Sequence, residues 1–194
     1  MRRLLPPLLL ALALVQLAGC AAVVVGGAAA GAGAARDRRG FGTVVSDRNL
    51  QLSAMSAINK DQELALKNDV SVVVFNGVML LVGEVRTPEL KARAVRLATG
   101  FEGTRKLVDE IEVMEPQGFW ARRGDDALTA RVKAALLNIT SLSGFDPTRV
   151  NVTSAHGTVY LMGLVSRTEA DAVVELVRNV AGVGKVVKVF EYTD

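Results

Sequence analysis

The chain carries one sequence twice, and this duplication constrains its fold more than any other feature. Val70-Ser-Val-Val-Val-Phe-Asn76-Gly77-Val-Met-Leu-Leu-Val-Gly83-Glu-Val85 aligns at a constant offset of 80 with Val150-Asn-Val-Thr-Ser-Ala-His156-Gly157-Thr-Val-Tyr-Leu-Met-Gly163-Leu-Val165. Glu89, Ala92 and Leu97 then line up with Glu169, Ala172 and Val177. After a one-residue deletion, Gly103-Thr-Arg-Lys106-Leu-Val108 meets Gly182-Val-Gly-Lys185-Val-Val187. A period of this size means one supersecondary unit built twice.

Each copy reads helix, strand, strand, helix, strand. In the second copy Leu128, Val132, Leu136 and Ile139 fall on one helical face, over 126–140 with Asp126 as its N-cap. In the first, Leu50, Ala54, Ala57 and Ile58 give the fainter equivalent. Asn76-Gly77 and His156-Gly157 sit between apolar runs, as two-residue hairpin turns do. The second helix opens with Thr87-Pro88 in one copy and with the capping box Ser166-Arg-Thr-Glu169 in the other. Final strands are expected over 106–113 and 185–190. The fold class is α+β: two tandem αββαβ units, each a three-stranded mixed sheet with two helices on one face. Gly77, Gly83, Gly157 and Gly163 are its structural glycines.

The front of the chain reads as an address. Met-Arg-Arg precedes a 12-residue apolar run, Leu4 to Val15, that contains Pro6 and Pro7. It is short against the roughly 20 residues of a membrane-spanning helix, so residues 1–19 read as a signal peptide. Leu17-Ala18-Gly19-Cys20 resembles the bacterial lipobox, which implies that Cys20 becomes the acylated N-terminus. Ala21 after it, where inner-membrane retention favours Asp, implies the outer membrane, facing the periplasm. Residues 21–35 hold only Ala, Gly and Val. They read either as a tether, reaching about 25–30 Å with the residues up to 46, or as an apolar segment lying on the membrane.

Locating the charge removes several functions. The net +3 is not spread evenly: residues 47–115 hold nine basic and eleven acidic side chains, and 125–194 hold seven and eight. The excess lies in the signal, in Arg36-Asp-Arg-Arg39 and in Arg122-Arg123. A nucleic-acid binder would place a basic stripe on a folded face, so no nucleic-acid partner is expected. Arg36–Arg39 fit either attraction to anionic lipid or a solvated linker. One Cys and one His cannot build a Cys/His zinc site. His156 sits at a hairpin turn and Cys20 is taken by acylation, so no catalytic residue, metal or cofactor is expected.

Paired units with Asn/His-Gly, Gly-x-Val, a helix and Gly-x-x-Lys-x-Val resemble BON domains. With the lipobox and tether, the chain is similar to the dual-BON outer-membrane lipoproteins. The domains would span 47–115 and 125–194, with a tether over 20–46 and a linker over 116–124. The resemblance implies a non-enzymatic protein whose second domain binds anionic phospholipid, such as phosphatidylglycerol or cardiolipin, and supports outer-membrane integrity. It also implies links to the outer-membrane protein assembly machinery and to the division site. The alternative is an envelope adaptor that touches the membrane only through acylation. The family's lipid site lies on the first helix of the second unit, which puts Arg131 and Lys133 on its outer face. Where the family favours an aromatic this chain has Ala127 and Leu128, but Phe119, Trp120, Arg122 and Arg123 stand just upstream. Aromatics beside arginines suit a membrane interface; Phe119 and Trp120 could equally pack as a plug between the units.

Overall fold

The computed structural model describes residues 37–139 and 142–194, so Cys20, the signal and most of the tether lie outside the described residues. Residues Arg38–Asp194 form one compact unit. The first repeat runs α1 (Phe41–Lys60), α2 (Gln62–Lys67), β1 (Asp69–Phe75), β2 (Val78–Val85), α3 (Pro88–Ala98) and β3 (Lys106–Val113). The second runs α4 (Phe119–Leu136), a 3₁₀ turn (Pro147–Arg149), β4 (Val150–Ala155), β5 (Thr158–Val165), α5 (Arg167–Val177) and β6 (Lys185–Tyr192).

Each sheet has three strands, ordered β1-β2-β3 and β4-β5-β6. The first pair in each is antiparallel and the second parallel, because a two-residue hairpin joins one pair and a crossover helix the other. Asn76 and His156 both have positive φ, followed by positive φ at Gly77 and Gly157, the conformation of a type I′ turn. Thr87 accepts from the Leu90 N–H, and Ser166 and Glu169 form the reciprocal capping box. At Gly83 (φ +120°) an added Cβ would lie 1.9 Å from the Asp69 carbonyl oxygen, so the β1 backbone passes where any side chain would stand.

The central strands are buried on both sides. Met79, Leu81 and Val85 of β2 pack under α1 and α3, while Val159, Leu161 and Val165 of β5 pack under α4 and α5. The alternate residues Val78, Leu80 and Val82 meet Tyr160 and Met162, with Phe75, in a third core between the two sheets. The molecule is thus layered helix, sheet, sheet, helix. The unbroken run Val78-Met-Leu-Leu-Val82 is the sequence mark of this two-sided burial.

Two helix starts differ from expectation. Asp126 is not an N-cap: α4 begins at Phe119 with Gly118 as its N-cap, so helix runs through residues 119–124 of the expected linker. Pro116 and Gly118 confine the break to the five residues 114–118, and Phe-Trp-Ala-Arg-Arg offers nothing to stop a helix that starts after them. Likewise α1 begins at Phe41, within the expected tether. Helix α2 was not foreseen; Asp61 starts it by accepting from the Glu63 and Leu64 N–H groups.

Candidate functional site

All eight residues singled out beside and within the first helix of the second repeat lie on α4, but the helix does not present them alike. Leu128 belongs to the buried face with Val132 and Leu136, so it supports the second core and does not reach a surface ligand. The face opposite shows Trp120, Arg123, Ala127, Ala134 and Leu137 at helical spacing, all exposed. Phe119 and Trp120 are 57% and 82% exposed, and the space between the sheets is filled without them. They are therefore not a plug. Their rings meet edge to face with centroids 5.3 Å apart, and the Arg123 guanidinium lies 5.2 Å from the Phe119 centroid. An exposed aromatic pair with a cation over one of its rings thereby stands at the first turn of a helix.

The cations divide by task. Arg122 reaches Asp69 at 3.3 Å and Arg123 reaches Asp126 at 3.7 Å, both exposed and weak. Arg131 donates to the Ala181 carbonyl and closes the turn after α5 onto α4. Lys133 is exposed and makes no ion pair among the described residues. No helix among the described residues is long and apolar enough to cross a membrane.

Sequence reasoning missed the residues that join the repeats. Asp47 on α1 accepts from the Asn76 and Gly77 N–H groups at 2.6 and 2.8 Å; Asp125 on α4 accepts from those of His156 and Gly157 at 3.0 and 3.1 Å. Each turn then touches a glutamate of the other repeat. The Asn76 amide donates to Glu191 at 2.8 Å, with Arg105 bonded to the same carboxylate. The His156 Nδ1 lies 3.5 Å from Glu84, and Gln117 bridges the two. Burial pushes the Glu84 carboxyl above its usual range, helped by the negative charges of Asp69 and Asp125; the Gln117 hydrogen bond and His156 oppose this. The recurrence of Asp47 and Asp125 at an offset of 78 is the signal that could have found the shared clamp.

The basic pair before α1 has also found partners. Arg38 donates two parallel hydrogen bonds to Glu169, at 2.6 and 2.9 Å, and a third to the Leu164 carbonyl at 3.0 Å. Burial alone would raise the Glu169 carboxyl, but hydrogen bonds from Arg38 and the Ser166 N–H, with the charges of Arg38 and Arg149, pull it below the usual range. Arg39 lies 2.7 Å from Asp47 and 3.7 Å over the Phe75 ring. These two arginines are parts of the fold, not a solvated linker.

Comparison with known proteins matches this architecture. The profile of the BON domain fits residues 46–115 and again 124–194. The chain is 35% identical over 182 residues to the outer membrane lipoprotein DolP of Haemophilus influenzae, covering 94% of this chain and 93% of that one. It is also 35% identical over 156 residues to the 21 kDa hemolysin of Actinobacillus pleuropneumoniae, covering 80% and 79%. Against the osmotically-inducible protein Y of Escherichia coli it is 30% identical over 130 residues, covering 65% and 63%.

Proposed function

The chain belongs to the BON-domain family, among its two-domain outer-membrane lipoproteins, and from that premise we propose that its second domain docks on anionic phospholipid through the outer face of α4. In this reading the protein is held by acylated Cys20, faces the periplasm, catalyses nothing, supports envelope integrity and is enriched at the division site. The observation that carries the proposal is the exposed Phe119–Trp120 pair at the first turn of α4.

The chemistry runs from the rings outward. Phe and Trp offer large apolar area that water solvates poorly, and interfacial membrane binding scales with the apolar area buried plus attraction to anionic lipid. Arg122, Arg123, Arg131 and Lys133 stand on the same helix with Asp126 the one exposed acid among them. Each such cation near an anionic surface contributes about 1 kcal/mol. The alanines at 127 and 134 keep the face between the aromatic end and Leu137 flat.

Flotation with the form lacking residues 1–35, which keeps the compact unit whole, tests this. It should rise with phosphatidylglycerol or cardiolipin vesicles and stay down with phosphatidylcholine. Trp120→Ala should lower the partition constant read from flotation about tenfold, the equivalent of about 1.4 kcal/mol of lost binding. Equally poor flotation on neutral and anionic vesicles sinks the reading in favour of an adaptor anchored by acylation alone.

A further inference from the structure

We propose that a cavity at the C-terminal end of α4, where the two repeats meet, holds one acyl chain of an anionic membrane phospholipid. The cavity measures about 530 Å³, within the roughly 300–1,000 Å³ of small-molecule sites. Phe75 at the end of β1, Leu136 of α4, and Pro147 and Val150 around the start of β4 form apolar walls. Leu137 lines it while 71% exposed, an apolar lip open to the surroundings.

Its net charge is positive and is carried by Lys133, because the Arg39 guanidinium is already paired with Asp47. Two cations, Arg39 and Lys133, line the cavity, and among the described residues no carboxylate does. Arg39 is a fixed charge, held by Asp47 and laid over Phe75. Lys133, exposed and on a flexible stem, is the movable one. A mainly apolar chamber, with Thr148 and Asn151 in its wall and Lys133 at its edge, complements an amphiphile with an anionic head. Moving an acyl chain from bilayer to an apolar cavity exchanges one dry surrounding for another, so the headgroup contacts decide the selectivity.

The membrane is the source because of continuity. Ala134 and Leu137 extend the outward stripe that begins at Trp120, along a helix about 27 Å long at 1.5 Å per residue. A surface that docks at one end brings bilayer lipid to the cavity at the other. In this one respect the inference rests on the lipid-contact reading of α4.

Native mass spectrometry of the full chain, purified in non-ionic detergent and titrated with palmitoyl lysophosphatidylglycerol, tests it. One added lipid per chain is expected, about tenfold weaker for the phosphocholine analogue and unmoved by inorganic phosphate. Ala134→Trp, which fills the cavity, should abolish the adduct, while Trp120→Ala, which weakens vesicle docking, should leave it. Lys133→Glu keeps the cavity and reverses its movable charge, and should weaken the adduct about tenfold even if the tryptophan variant fails to fold. No adduct on the wild type, or the same adduct on Ala134→Trp and Lys133→Glu, overturns the proposal. So does an adduct that appears only after deletion of residues 21–35, which would make the chain's own apolar segment the occupant.

Discussion

Helices α1 and α4 are copies of one part that have been put to different uses. Both begin with Gly-Phe, both bury one apolar face, and both send an aspartate to the N–H groups of the hairpin turn beyond. They differ in their arginines. Before α1, Arg38 and Arg39 are drawn into the fold by Glu169 and Asp47. At the start of α4, Arg122 and Arg123 stay at the surface beside Phe119 and Trp120. Duplication kept what closes each sheet and released the outer faces, so one copy spends its cations on cohesion and the other presents them outward.

The sharpest test of that shared frame is glycine. Gly83→Ala must move the Asp69 carbonyl and also adopt φ +120°, so it should cost about 4 kcal/mol. Gly163 lacks the positive φ, and its added Cβ would stand 2.6 Å from the Arg149 carbonyl oxygen, so Gly163→Ala should cost about 2 kcal/mol. Urea midpoints of the two variants measure the difference; equal losses would mean the two close approaches are equivalent.

The clamps come next. Asp47→Ala removes the acceptor of two turn N–H groups and also the carboxylate beside the largely buried Arg39 guanidinium, and should cost about 3 kcal/mol. Asp125→Ala removes only the turn acceptor from a half-buried site and should cost about 1.5 kcal/mol. Hydrogen exchange at residues 76–77 and 156–157 should report each turn opening alone.

The smallest effects are those of pH, and they have opposite signs. The Glu169 carboxyl is held low in the folded state, so its contribution is present above the ordinary value of 4.5 and fades as pH falls through its lower folded one. Glu169→Gln should therefore cost about 1.5 kcal/mol at pH 7, from the weakened charged hydrogen bonds of Arg38, and less in acid. The Glu84 carboxyl is held high, so the folded state keeps a proton that the unfolded chain has released. Stability then falls as pH rises from 4.5 through the raised value, and Glu84→Gln should relieve that loss near neutrality. Denaturation of both variants at pH 4 and pH 7 checks the two signs.

What the sequence made legible was local. The Asn-Gly turn, the Ser166–Glu169 capping box and the apolar helix faces each depend on residues a few positions apart, and each stands as read. Asp126 misled because an acid before an apolar run looks like an N-cap, while its neighbour Asp125 serves a turn 31 residues on. The core between the sheets left one hint, the unbroken apolar run of β2, with no periodicity to say what covered its second face. Of the candidate lipid site, residue types and helix were legible, and burial was not: Leu128 and Ala127 are neighbours in sequence and point to opposite environments. Nothing local joins Arg38 to Glu169 across 131 residues.

That last contact decides how tension enters the molecule. A pull arriving along the chain from the amino terminus reaches Arg38 before it reaches α1, and Arg38 is fastened to the second repeat through Glu169 and the Leu164 carbonyl. The load is therefore shared by both halves at once instead of unzipping the first helix from its end. The two parallel hydrogen bonds therefore carry part of such a pull into the second repeat before α1 begins to unwind.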